Sequence, residues 1–365
     1  KLHSTTVNGT GNGNRDYFIS KFDANGNFLS VLTAGGALNE QINEIEIDAL
    51  GSIYLAGNFD GSSVNLDPGA GTTNFNSAGS NDIFLLKLDA SGTYLWGNTF
   101  GDVDNDYVLS LTIDSNNKPV LSGQFIGTID IDPSASTVNL TSSGTGDNFV
   151  AKFDSNGSLF WANRIGDTDQ LTIYNTKTNS NDDIYLTGRF QGTQDFDGTS
   201  GITSLTANGT ADIFITKLDV NGNHTWTKQF GSTGYNLGQG INVDANDNIY
   251  FTGYFSGTVD FDAGTGIANL TAGAGSDIVI CKYTSAGDFA WAETISSTNY
   301  GSGTEVCITP AGKVVTTGYF DGVTDFDFGS GTNNITSLGS QDFYFHQMNQ
   351  DILSLIENSN ENGIS

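Results

Sequence analysis

Four aspartate pairs recur at one spacing: Asp130-Ile-Asp132, Asp195-Phe-Asp197, Asp260-Phe-Asp262 and Asp325-Phe-Asp327, with Asn65-Leu-Asp67 as a departing first copy. Alternate residues of an extended strand share a face. Both carboxylates of a pair should therefore point one way and the apolar residue between them the other. Oxygens so gathered can begin a Ca²⁺ site, which takes about 6–8 oxygen ligands. The same geometry suits a turn cap in which each carboxylate accepts backbone N–H bonds. Two alternatives stay open: calcium held by these eight aspartates, or no cofactor.

A second repeated charge is Lys21, Lys87, Lys152, Lys217 and Lys282, with Gln347 in the last copy. A lysine copied in every repeat is expected to pair with a repeated aspartate and serve the fold. Groups suited to catalysis are scattered. His3, His224 and His346 share no register, and no HExxH cluster or GxSxG elbow is present. Arg15, Arg164 and Arg189, the only arginines, fall at different points of the repeat, which disfavours the arginine cluster of sialidase chemistry. Cys281 and Cys307 make no metal pattern; they read as two buried small residues or one disulfide. No carboxylate pair for glycoside hydrolysis is singled out among the 34 Asp.

These residues ride on a repeat. Asp-apolar-aromatic-x-x-Lys-apolar-Asp occurs at Asp16–Asp23, Asp82–Asp89, Asp147–Asp154 and Asp212–Asp219, with weaker copies from Asp277 and Asp342. The spacing is 66 residues once and 65 four times. Gly57-x-Phe59, Gly123-x-Phe125, Gly188-x-Phe190, Gly253-x-Phe255 and Gly318-x-Phe320 keep the same beat, as do Trp96, Trp161, Trp226 and Trp291. Each period holds four strand-like runs, for example Leu109–Asp114, Pro119–Phe125, Phe149–Asp154 and Leu159–Asn163. Asn-Gly at Asn25-Gly26, Asn156-Gly157 and Asn221-Gly222 supplies the positive φ of tight hairpins. Four antiparallel strands per period predict an all-β fold, a β-propeller of four-stranded blades with a 65-residue repeat.

The unit Gly253–Tyr283 (GYFSGTVDFDAGTG…DIVICKY), followed by GDFAWAE, resembles the bacterial SBBP-type β-propeller repeat. That resemblance covers nearly the whole chain and implies a surface or secreted protein whose repeat is structural. The turn-to-Trp segment, Asp89-Ala-Ser-Gly92 and then Trp96, is similar to a sialidase Asp-box hairpin at a different spacing.

About 5.5 blades are in view, and six or seven are expected in all. Residues before Lys1 would complete the ring, or strands from both ends would share one blade; the first is favoured. Residues 1–349 are assigned to the propeller, beginning with a half-blade. Residues 350–365 are assigned to a degraded last strand (Asp351–Ile356) and a linker. The stretch IENSNENGIS, Ile356–Ser365, resembles the linker before the C-terminal sorting domain of type IX secretion cargo in Bacteroidota. The Tyr-Pro-Asn-Pro motif that follows in such cargo is not in the sequence. The resemblance implies export across the outer membrane, an extracellular or cell-surface location, and the type IX outer-membrane translocon and its shuttle proteins as partners.

Composition agrees with this picture. Gly is 47 of 365 residues, and the acids are 34 Asp against 7 Glu, which favours turns over helices. A net charge of −28 argues against nucleic-acid binding. No apolar run reaches the roughly 20 residues of a membrane helix. The function expected is a non-enzymatic exported passenger for binding or display, with adhesion to glycans or proteins as its form. A propeller glycosidase or lyase acting on extracellular polysaccharide is the alternative. Departures from the consensus at Asp102–Tyr107, Asp167–Gln170 and Tyr235–Gln239, in the links between blades, are where a ligand site is expected.

Overall fold

The computed structural model describes residues 13–144, 146–328 and 331–350, and every regular element among them is a β-strand. The chain forms two compact units, and the division between them falls inside the strand Leu171–Thr178. The first unit takes in the chain up to Thr176, with 197–201 and 221–223; the second takes in 177–196, 202–220 and 224 onward.

In the first unit a two-stranded pair, Tyr17–Phe22 with Phe28–Ala34, precedes two four-stranded antiparallel sheets. Blade I is Glu40–Ile47, Ile53–Phe59, Asp82–Leu88 and Tyr94–Phe100; blade II is Tyr107–Ile113, Pro119–Phe125, Asp147–Phe153 and Leu159–Ile165. Each strand neighbours the next in sequence order. In the second unit, blade III continues with Ile184–Phe190, Asp212–Leu218 and His224–Phe230. Blade IV is Leu237–Val243, Ile249–Phe255, Asp277–Tyr283 and Phe289–Ser297, and blade V shows three strands, Tyr300–Ile308, Val314–Asp321 and Asp342–Met348. The fold class is the expected one, an all-β propeller type of four-stranded antiparallel blades. The proposed strand Asp351–Ile356 and the linker after it lie outside the described residues.

The Gly-x-Phe beat has a packing cause. A Cβ on Gly123 would stand 2.2 Å from the Tyr107 carbonyl oxygen and 2.7 Å from the Phe149 ring, so only glycine lets the second strand lie against that aromatic. Gly57 meets Gln41 and Phe84 in the same way. The third strands Asp82–Leu88 and Asp147–Phe153 are buried along their whole length. Each fully buried large apolar side chain there contributes about 1.5–3 kcal/mol. A polar residue in such a strand needs a partner, which is why the register Asp and Lys matter.

Two features depart from the sequence reading. Each link between second and third strands carries an extra short hairpin, such as Thr128–Asp130 with Asn139–Thr141. Pairs of two or three residues are too short to show a period of two. In the third-to-fourth hairpins the expected positive φ falls on the glycine and not on the asparagine. At Asp154-Ser-Asn-Gly157 the Gly157 N–H donates to the Asp154 carbonyl at 3.0 Å, only Gly157 takes positive φ (+86°), and the strand register shifts at Lys152/Phe153. That is a type I turn closed by a glycine bulge, so glycine is required and asparagine is not forced out of ordinary φ.

Candidate functional site

The aspartate pairs close the extra hairpins. Asp130 Oδ1 accepts the N–H groups of Asp132 (3.2 Å) and Val138 (2.9 Å), and Asp132 Oδ1 accepts that of Ser134 (2.9 Å). Asp260 and Asp262 repeat this with Asp262, Ala268 and Gly264; Asp325 does so with Asp327 and Asn333. Asp195 accepts from Thr203, and Asp197 from Thr199. The intervening Ile131, Phe196, Phe261 and Phe326 are buried, although each short strand ends at the first aspartate of its pair. Among the described residues no group of three or more His, Cys, Asp or Glu is placed to hold a metal ion.

The register lysines reach the turn between first and second strands. Lys152 pairs with Asp114 at 2.8 Å with both side chains buried, Lys217 with Asp183 at 2.8 Å, and Lys87 with Asp48 at 3.7 Å. Lys87, Lys217 and Lys282 also lie over Tyr54, Tyr185 and Tyr250. Lys282 donates to Gln350 Oε1 at 2.7 Å, and Lys21 to the Ala90 carbonyl at 3.2 Å. Trp96, Trp161 and Trp226 pack on the turn glycines Gly157, Gly222 and Gly287 of the next repeat, and Trp96 Nε1 also donates to the Ser155 carbonyl (3.1 Å).

The residues outside these beats separate. His224 contacts Thr203 and Thr227, and His346 packs on Phe326 and Phe328. Cys281 is buried and Cys307 exposed, both as free thiols. The disulfide is not formed, and only one of the two is the buried small residue expected, since Cys307 lies near the end of a blade V strand with its side chain outward. Arg164 pairs with Asp147 at 2.5 Å. In the link Asp102–Tyr107, Asp102 Oδ2 accepts the Thr128 N–H (2.7 Å), while Asp106 accepts those of Asp102 and Ile126. These acids tie the link to the neighbouring hairpin. Burial pushes Asp106 up to about 6 and Asp82 up to about 7, with neighbouring aspartates adding to both. Asp167–Gln170 is exposed.

The third flagged link behaves differently. Tyr235 stacks on Tyr254 at 6.0 Å, Tyr254 meets Tyr300 at 5.3 Å, and Tyr300 stacks on Tyr319 at 5.7 Å. The Arg189 guanidinium lies 5.1 Å from the Tyr235 ring centre. All five side chains are half-buried and belong to the second unit. Burial raises the Tyr254 hydroxyl to about 12, partly offset by its hydrogen bond with Tyr300, and burial also raises Tyr300, where hydrogen bonds with Tyr319 and Tyr254 add to the rise. Arg189, Tyr254 and Tyr319 hold one position, the residue between Gly and Phe of the second strand; Tyr235 and Tyr300 hold another, in the link entering the first strand. Only Tyr235 was flagged by the sequence. The signal for the rest was present: Tyr235/Tyr300 and Tyr254/Tyr319 are both 65 apart.

A separate depression of about 490 Å³ in the second unit is lined by Asp244, Asn246, Lys282, Thr309, Gly312 and Gln350. It adjoins the last described residue and shares none of the tyrosine row.

No family model matches the chain. It is 25% identical over 267 residues to an uncharacterised WD repeat-containing protein of Acanthamoeba polyphaga mimivirus, covering 64% of this chain and 19% of that protein. It is 28% identical over 158 residues to the regulatory protein FlaEY of Caulobacter vibrioides, covering 42% of this chain and 16% of that protein. The chain thus spans about a fifth or less of the length of these curated relatives. Among solved structures, a protein of unknown function from Bacteroides caccae is matched over 77% of this chain and 94% of that chain, with TM-score 0.31 and 8% identity. The extracellular domain of a hybrid two-component system from B. thetaiotaomicron is matched over 83% and 49%, with TM-score 0.18 and 12% identity. The chain is a β-propeller-like repeat protein.

Proposed function

We propose that the chain is an exported or cell-surface propeller passenger whose work is to bind or display. The SBBP-type repeat and the resemblance of Ile356–Ser365 to a type IX linker support export by that route, with the translocon and shuttle proteins as transient partners. One observation carries the binding role. Most repeated polar groups are spent on the fold, whereas Arg189, Tyr235, Tyr254, Tyr300 and Tyr319 break the repeat consensus and gather in a half-buried row. Aromatic side chains with polar tips supply contact area at low entropy cost, which suits recognition.

An array of glycans and extracellular proteins probed with the intact chain tests the binding role. A ligand lost on Tyr254→Ala and Tyr300→Ala supports it; a ligand indifferent to both moves the site elsewhere. Surface-protease accessibility of the natural full-length product tests location, and a product protected until the cells are lysed defeats the export reading. A generic glycosidase and lyase screen on the same protein addresses the enzymatic alternative.

A further inference from the structure

Arg164 and Arg189 sit in the same acidic protein and are treated oppositely. Arg164 is neutralised by Asp147 at 2.5 Å. Arg189 has no carboxylate within ion-pair distance among the described residues, and its Nε is buried without a hydrogen-bond partner. A buried donor without a partner is costly to the fold. Of the three arginines only Arg164 has a carboxylate at ion-pair distance among the described residues; Arg15 is exposed, whereas Arg189 is half-buried. Its guanidinium lies over the Tyr235 ring, a contact that leaves a net positive charge. Beyond it run four phenols with ring-to-ring steps of 6.0, 5.3 and 5.7 Å. Phenol hydroxyls donate as well as accept, and an ordinary phenol already holds its proton at neutral pH. The row is therefore donor-rich and ends in a cation with no carboxylate at ion-pair distance among the described residues.

We propose that this row binds an acidic polysaccharide, a chain of uronate sugars. Arg189 takes a carboxylate in its fork, and Tyr254, Tyr300 and Tyr319 meet successive sugars through ring edges and hydroxyls. Guanidinium geometry matches a carboxylate through two parallel N–H bonds. The near-even spacing of like groups, built from two neighbouring copies of the repeat, fits a polymer of like units better than a peptide of unlike side chains. The ligand class rests on the binding role proposed above and deepens it.

The test is binding of the intact chain to polygalacturonate at low salt, by calorimetry or affinity electrophoresis. Arg189→Gln is expected to weaken binding at least about 10-fold and Arg189→Lys to recover only part of it. Tyr254→Ala and Tyr300→Ala should each weaken it several-fold. Neutral laminarin should not bind, and wild type should lose affinity as salt is raised. Each variant's melting curve is recorded, and Tyr300→Phe, which keeps the ring, stands in if Tyr300→Ala fails to fold. Three results overturn the proposal: polygalacturonate binding unchanged in Arg189→Gln, equal binding to laminarin, or tighter binding to poly-glutamate, which would make the occupant an acidic protein segment. A different array ligand that survives Arg189→Gln overturns the uronate assignment and leaves the binding role standing. No ligand for the intact chain in either experiment overturns both.

Discussion

The two units use the same repeat positions for opposite ends. Between Gly and Phe of the second strand the first unit places Asn58 and Gln124; the second places Arg189, Tyr254 and Tyr319. Asn58 is buried and donates to the Asp106 carbonyl at 2.7 Å and the Asp82 carbonyl at 3.4 Å. It ties the backbone of its own blade to the link that enters the next. The tyrosines stack on one another and stay half exposed. In the link position Asn105 faces the amide of Asn81 in the first unit, whereas Tyr235 and Tyr300 extend the row in the second. A repeat fixes where the chain goes, and a position the backbone can spare becomes available for recognition. Burial of the repeated ion pairs follows the same division.

The largest expected effect tests that burial. Lys152 and Asp114 are almost wholly enclosed, while Lys217 and Asp183 keep about a fifth of their side chains in water. Asp114→Ala strands a buried ammonium and should cost about 3–5 kcal/mol. Asp183→Ala, at the same turn in the second unit, should cost about 1 kcal/mol or less. Urea unfolding of the two variants measures the difference, and equal losses would remove the contrast between units.

Next is the aspartate opening the third strand. Asp147 has Arg164, but Asp82 has no cation among the described residues and faces Asp106 and Asp102. Burial raises Asp82 to about 7 in the folded state. The unfolded state then releases the proton first, so stability is lost as pH rises from about 4 to about 7. Asp82→Asn removes that loss. Relative to wild type it should gain about 2–4 kcal/mol between pH 4 and pH 8, read from urea midpoints across pH. A parallel pH dependence in both proteins would place the charge elsewhere. Asp147→Asn should show no such gain, because it breaks the Arg164 pair.

The fold was legible because each physical requirement recurs from one period to the next. Gly123 against Phe149, and Gly157 in its bulge, are single-residue constraints that repetition turns into a pattern. The lysine partners were expected as aspartates, but which aspartate depended on how the turn Asp114–Asn117 folds over the third strand. The short hairpins were missed because three residue pairs show no periodicity. The row was legible only in part. Tyr235 stood in a flagged link, yet Arg189, Tyr254 and Tyr319 sit inside ordinary strands, where an aromatic residue reads as core. Their proximity depends on neighbouring strands lying side by side, which no local pattern encodes.

A smaller effect concerns the spared position itself. Asn58→Ala leaves two carbonyls short of a donor and should cost about 1–2 kcal/mol. Tyr319→Ala, at the end of the row, should cost about 1 kcal/mol or less beyond the lost burial. Thermal or urea unfolding of both variants ranks them. A Tyr319→Ala loss well above that of Asn58→Ala would make the row a packing device and reverse its contrast with the first unit.

The smallest effect concerns what the units share. The aspartate pairs close hairpins in both, at Asp130/Asp132 in the first unit and at Asp260/Asp262 and Asp325/Asp327 in the second. In each, Oδ1 of the first aspartate accepts two backbone N–H groups, 2.8–3.2 Å away. A calcium ion would have to share that oxygen with donors already satisfied, and would need ligands beyond one pair. Excess chelator should therefore shift the melting temperature by less than about 1 °C relative to excess calcium, with magnesium as the ionic-strength control. A calcium-specific rise would turn these shared turns into cation sites. Because the motif is common to both units, the rise should then appear in each and leave the difference between the amide positions and the tyrosine row intact.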